Sequence, residues 1–253
     1  MSIHYMKQSG IRLFLVCKIG ILIGILPASS QTKDEILTLI WQGMGGKQSW
    51  ADARYFMFSC NSNLPKTLPG THTYIWDTTT GNCRFDGLSA RDEKLTVLFN
   101  TKNKTGHAFI NNQPLAADSL PSVLQAVIQS FFNDSFWLFV PQTLINPAQL
   151  TIQEPQLIGA ARYYVVEWNT PQINADIHRS KWFVDTNTGK IFQWQALSDN
   201  QTTLYNFLCS DYKDVGGGLM LATTFRDPKT EFFITYPIVS ALINVESEKF
   251  LKP

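Results

Sequence analysis

The chain has 253 residues, 44% apolar and 16% charged, with 21 Lys and Arg against 20 Asp and Glu. This balance excludes a disordered chain, which would carry fewer apolar residues and a larger charge imbalance. It also excludes broad phosphate-driven nucleic-acid binding, which needs clustered Lys and Arg. A chain of this length buries about 70% of its unfolded surface, and its 7 Trp, 8 Tyr and 17 Phe favour strands.

Residues 1–30 read as a cleavable secretory signal. Lys7 and Arg12 come first without an acid, an apolar run from Ile19 to Leu26 follows, and Ala28-Ser29-Ser30 precede Gln31. Lys18 leaves the apolar run well short of the ~20 residues that span a bilayer. Cys17 follows Val16, where a lipid-attachment signal wants a small residue, so no lipid anchor is expected. Translation starts at Met1 or Met6; both fit the pattern. Removing 1–30 deletes Lys7, Arg12 and Lys18 and no acid, leaving a slightly acidic single domain, 31–253, in the periplasm.

Thr32 and Glu35 form a capping-box pattern ahead of a helix over 34–44, with Ile36, Leu39, Ile40 and Met44 at helical spacing and Gly45-Gly46 as its stop. The period then changes to two. Strands are predicted at 54–60, 71–76, 82–87, 93–101 and 106–110, joined by short turns as in a meander. Asp118-Ser119 cap a second helical stretch with apolar positions Leu120, Val123, Leu124, Val127, Ile128 and Phe131. Asn133-Asp134-Ser135 restart it as a short apolar turn from Phe136 to Val140, stopped by Pro141. Further strands are predicted at 148–154, 160–169, 180–186, 189–197, 201–210, 218–226 and 230–237, with a last strand and a frayed tail beyond.

Two turns echo each other: Asp77-Thr78-Thr79-Thr80-Gly81 and Asp185-Thr186-Asn187-Thr188-Gly189. In each, Asp can accept backbone N–H bonds two residues on and Gly takes the positive φ that closes the hairpin. Alternation places Tyr164, Val166 and Trp168 on one face, Trp182 and Val184 on one face, and Phe192, Trp194 and Ala196 on one face. The expectation is an antiparallel sheet with an aromatic side covered by helices and an opposite side largely wet.

Chemistry is sparse. The nucleophile elbow, the zinc-protease motif, the phosphate loop and the dinucleotide fingerprint are all absent from the sequence. Asp176 and His178 would share a strand face as a dyad, or else lie in a solvated turn. Gly216-Gly217-Gly218 reads as a bend or bulge before a strand, and Asp211, Asp214 and Asp227 lack calcium-loop spacing. After export three cysteines remain: Cys60 and Cys83 as a disulfide, or three buried thiols with Cys209. No metal or other cofactor is expected.

Several strings resemble the LolA-like superfamily of periplasmic lipoprotein carriers and its outer-membrane lipoprotein-sorting relatives. They are the amphipathic N-terminal helix running into Arg54-Tyr55-Phe56-Met57-Phe58, the segment Asn133 to Pro141, Trp182-Phe183-Val184-Asp185 with Thr188-Gly189, and Asp211 to Gly217. The Pro that usually follows the Gly stretch is replaced by Leu221-Ala222. The resemblance implies a strongly curved antiparallel sheet, an unclosed β-barrel, with helices covering the concave face and acyl chains held inside. Carriers of that family latch the cover with an Arg; Arg54 begins a strand in that region, and the role is not carried over to it.

The resulting expectation is a monomeric carrier or binding protein for a lipoprotein or other acyl-bearing ligand, without catalysis, working beside envelope membrane proteins. Its ligand would lie in a cavity of several hundred Å3 lined by Phe56, Phe58, Tyr74, Trp76, Tyr164, Trp168, Trp182 and Trp194, under a cover bearing Phe136, Trp137 and Phe139. The alternatives are an envelope interaction module with a solidly packed core, and a hydrolase using Asp176 and His178.

Overall fold

Period-two alternation of large apolar and polar residues makes strands whenever one face can be buried, and the described residues form thirteen strands. A computed structural model describes residues 31–65, 68–140, 144, 146–170 and 177–253. The expected export signal lies outside the described residues, as does Asp176. Within Thr32–Pro253 the first six strands are β1 (Tyr55–Ser62), β2 (His72–Asp77), β3 (Asn82–Leu88), β4 (Lys94–Asn100), β5 (Gly106–Ile110) and β6 (Gln113–Pro114). The others are β7 (Leu150–Ile158), β8 (Ala161–Asn169), β9 (Arg179–Asp185), β10 (Ile191–Leu197), β11 (Thr203–Asp214), β12 (Met220–Arg226) and β13 (Phe233–Leu242).

These strands form one antiparallel sheet in the order β6-β5-β4-β3-β2-β1-β13-β12-β11-β10-β9-β8-β7. Two meanders are thus joined where the first strand pairs with the last, Phe58 opposite Val239. The edges, β6 and β7, are neighbours in sequence, and the chain between them carries the long helix α3 (Leu120–Leu138).

That connection reveals the curvature. Phe99 on β4 and Trp168 on β8 are nine strand spacings apart along the sheet, about 43 Å if it were flat. Yet Phe131 lies 5.8 Å from Phe99 and Phe136 lies 6.0 Å from Trp168, ring centre to ring centre. Five helical residues rise only about 7.5 Å on a helix about 10–12 Å across, so the two points on the sheet are within about 26 Å of each other. The sheet is bent into a trough around α3, and its edges do not close. The expected mainly-β, half-barrel class is the observed one.

The capping box forms as read: Thr32 Oγ1 accepts from Glu35 N at 3.3 Å, and Glu35 Oε2 accepts from Thr32 N at 2.8 Å, opening α1 (Lys33–Gly43). A short α2 (Lys47–Asp52) follows, where the sequence suggested direct passage to strands. α3 differs in two respects. Ser119 makes no side-chain cap bond, and the helix runs through Asn133-Asp134-Ser135 without a restart. The Asp134 carboxylate finds partners on the sheet (below), so it does not compete for the helix backbone. The C-terminal stretch adds no strand after β13; a 3-10 turn, Ser247–Phe250, is followed by Lys252, whose carbonyl accepts from Arg84 on β3 at 2.7 Å.

One further expectation is corrected, and one open alternative is decided. The pairing of β9 with β10 shifts between Ile191 and Gln193, and this irregularity exchanges the faces read for Ile191 and Phe192, while Trp194 and Ala196 keep theirs. Ile191 joins the main core, while Phe192 packs on the outer face against Tyr163, Val165 and Phe183. The outer face therefore carries a small dry patch. Cys60, Cys83 and Cys209 are in no disulfide and all three are buried, the second of the two readings. Cys60 and Cys83 sit on β1 and β3 with β2 between them, one opposite His72 and the other opposite Trp76. That offset of two strands and four residues far exceeds the ~7 Å Cα separation a disulfide can bridge.

Candidate functional site

The trough floor is built by inward positions of nearly every strand. Phe56, Phe58, Tyr74, Trp76, Trp168, Trp182 and Trp194 are all buried in the main core, and Tyr164 packs half-buried beside them. α3 brings them together in two groups. Phe131 and Phe139 meet the first: Trp76 lies 5.3 Å from Phe131 and 5.4 Å from Phe139, and Phe58 lies 5.3 Å from Phe139. Phe136 and Trp137 meet the second, with Trp194 at 5.2 and 5.1 Å. Trp182 backs that group, 5.7 Å from Trp168.

The spaces that the described residues leave in the trough beside these rings are small. Inside it are a crevice of about 50 Å3, bordered by Phe136, Trp137, His72 and Asp134, and a void of about 20 Å3, bordered by Trp137, Trp194 and Phe225. The rings of α3 occupy the room, so the named aromatics line a filled interior.

α3 is pinned by a polar cluster that the sequence reading missed. Asp134 Oδ2 lies 2.7 Å from His72 Nδ1 and accepts from the Tyr74 hydroxyl at 2.8 Å. The Tyr236 hydroxyl donates to the Asp134 backbone carbonyl at 2.6 Å. His72 Nε2 faces the Leu68 carbonyl at 3.2 Å. Burial, reinforced by the Asp134 charge, pushes the Tyr74 hydroxyl well up, so it remains a donor. All four side chains are buried. The signal existed: Val127, Phe131, Asp134 and Leu138 recur at helical spacing, placing an acid on an apolar stripe, and His72, Tyr74 and Trp76 share one strand face.

Arg54 does something else. Its guanidinium pairs with Asp77 across β1 and β2, Nη2 to Oδ2 at 2.8 Å and Nε to Oδ1 at 3.1 Å. Burial would raise the Asp77 pKa, but the Arg54 bond and the N–H groups of Thr79 and Thr80 outweigh it and hold it at about 2. Both echoed turns form as predicted. Asp185 Oδ1 accepts from the backbone N–H groups of Asn187 and Thr188, and Gly81 and Gly189 have φ of +84° and +69°. Of the Asp176–His178 pair only His178 is described; its backbone N–H donates to Leu197 O at 2.9 Å. Among the described residues no three His, Cys, Asp or Glu converge as metal ligands, and no helix is long and apolar enough to cross a membrane.

No family model and no curated protein matches the chain. Among solved structures it is similar to the LolA superfamily protein NE2245 from Nitrosomonas europaea, at 12% identity and TM-score 0.47 over 87% of this chain and 98% of that one. A DUF1329 family protein from Desulfovibrio piger gives 8% and 0.42 over 87% and 98%. A putative outer membrane lipoprotein-sorting protein domain from Vibrio parahaemolyticus gives 10% and 0.38 over 87% and 97%. Likenesses at this level say nothing of what the chain binds.

Proposed function

We propose that the protein is a periplasmic carrier or binding protein for an acyl-bearing ligand, acting without catalysis, with α3 as a displaceable plug. The observation that carries this reading is the relation of α3 to the sheet. One helix fills the trough with Phe131, Phe136 and Trp137, and three polar ties from β2 and β13 meet at its Asp134. When α3 withdraws, an aromatic-lined hollow opens on a sheet that keeps its own hydrogen bonds. An acyl chain replacing the helix side chains regains about 0.8 kcal/mol per buried CH2, so sixteen carbons offset roughly 12 kcal/mol of lost packing. Opening is a two-state movement of one element, with no bond made or broken.

The rival reading, an envelope interaction module with a solid core, is favoured by the small size of the voids, about 50 and 20 Å3. Native mass spectrometry of protein from an envelope fraction separates the two. The carrier should show an acyl adduct, and after delipidation it should take up a fluorescent fatty acid saturably, faster in Asp134→Asn. Protein with no adduct and no uptake in either form overturns the carrier reading.

A further inference from the structure

Three indole N–H groups in the trough have no hydrogen-bond acceptor: those of Trp76, Trp168 and Trp182. The side chains are 7%, 5% and 0% exposed, so solvent does not supply the missing partner. A buried donor left unmade costs about 1–3 kcal/mol, and the large majority of buried polar groups are paired. Neighbouring ring faces are at best weak acceptors.

Two other indoles of this chain are paired. Trp50 donates to the Met44 carbonyl at 2.8 Å, and Trp194 donates to Ser180 Oγ at 3.1 Å. Ser180 stands directly opposite Trp168 and two residues from Trp182. Its hydroxyl already serves Trp194 and lies 3.3 Å from Thr170 Oγ1, so neither neighbour is provided for. The orphans fall on the bed of α3: Trp76 lies under Phe131 and Phe139, and Trp168 lies under Phe136, with Trp182 at its side.

We infer that these indoles are donor sites for a ligand whose chains carry carbonyl oxygens, an acyl ester or amide, in preference to a plain alkyl chain. The inference rests on the carrier reading and adds a chemical class to it. The hydrocarbon of the ligand takes the place of the α3 rings, and its carbonyls accept from Trp168 and Trp182 on one side of the trough or from Trp76 on the other. An alkyl ether of equal length fills the same volume without offering carbonyls.

The test compares a 1-monoacylglycerol with the 1-O-alkylglycerol of the same chain length, on delipidated protein comprising residues 31–253. The wild type should bind the ester about five- to tenfold more tightly, the size of one or two net hydrogen bonds. Trp168→Phe with Trp182→Phe, and separately Trp76→Phe, keep a ring and remove the donor; at least one should bring the ratio close to one. Trp50→Phe, whose N–H is already engaged by Met44, should leave the ratio unchanged. With the tryptophans 15N-labelled, the ester and not the ether should move orphan indole resonances downfield, a readout available in wild-type protein should a variant fail to fold. Equal binding of both probes with unmoved indole signals overturns this inference and leaves the carrier reading in place. Binding of neither probe overturns both.

Discussion

Asp134 is the side chain on which α3 turns. A carboxylate in an apolar interior is tolerated only when its hydrogen bonds are complete, and His72 and Tyr74 complete them from one strand. Asp134→Ala removes the common acceptor and strands two buried donors. It should cost about 3–5 kcal/mol, read as a lower urea midpoint at unchanged slope. Asp77 acts at the rim. Its pKa is depressed from 3.8 to about 2, so its stabilising share is fully present above about pH 4 and disappears as pH falls through 2. The gap in urea midpoint between wild type and Asp77→Asn should therefore be constant from pH 7 to about pH 4 and shrink towards pH 2. A gap independent of pH would remove the Arg54–Asp77 pair as its origin.

Among the elements, the β9–β10 hairpin shows how one residue serves two purposes. Gly189 has φ +69°, which closes the turn, and a Cβ there would lie 1.9 Å from the Leu39 carbonyl oxygen of α1. A Cβ on Gly43 at the end of α1 would lie 2.5 Å from the Gly189 carbonyl carbon, so helix and hairpin meet glycine to glycine. Gly189→Ala should therefore cost more than the backbone conformation alone requires, about 2 kcal/mol or above. Gly159→Ala, at φ +62° with open space around it, should cost only about 1 kcal/mol. Thermal or urea unfolding of the pair measures the difference, and equal losses would mean that α1 yields easily. The Asp-Thr-x-Thr-Gly turn itself was readable because its hydrogen bonds are local. The contact with α1 was not, because Leu39 and Gly189 are far apart along the chain.

For the whole molecule, the decisive relation is that the two sheet edges are consecutive strands joined through α3. A helix of nineteen residues is about 28 Å long, while a flat sheet of thirteen strands would be about 58 Å wide, so it is by curling that the sheet brings both β4 and β8 against α3. Filling and bridging are done by the same helix. Opening the trough for a ligand therefore means moving the segment that connects its edges, while the β1–β13 seam at the centre remains paired.

Local pattern determined a good deal. Strand positions, the Thr32–Glu35 cap, the two Asx turns and the inward parity of Tyr164, Trp168, Trp182 and Trp194 follow from spacing and from hydrogen bonds between near neighbours. What needed the folded chain were the relations that periodicity does not encode. The register shift that turns Phe192 outward depends on how β10 pairs with β9. The separation of Cys60 from Cys83 depends on β2 lying between them. The gathering of His72, Tyr74 and Tyr236 on Asp134, and the filling of the hollow by α3, depend on a sheet bent through nine strand spacings. Alternation states which side of a strand is buried. Only the closing of long chain segments on one another states what it is buried against.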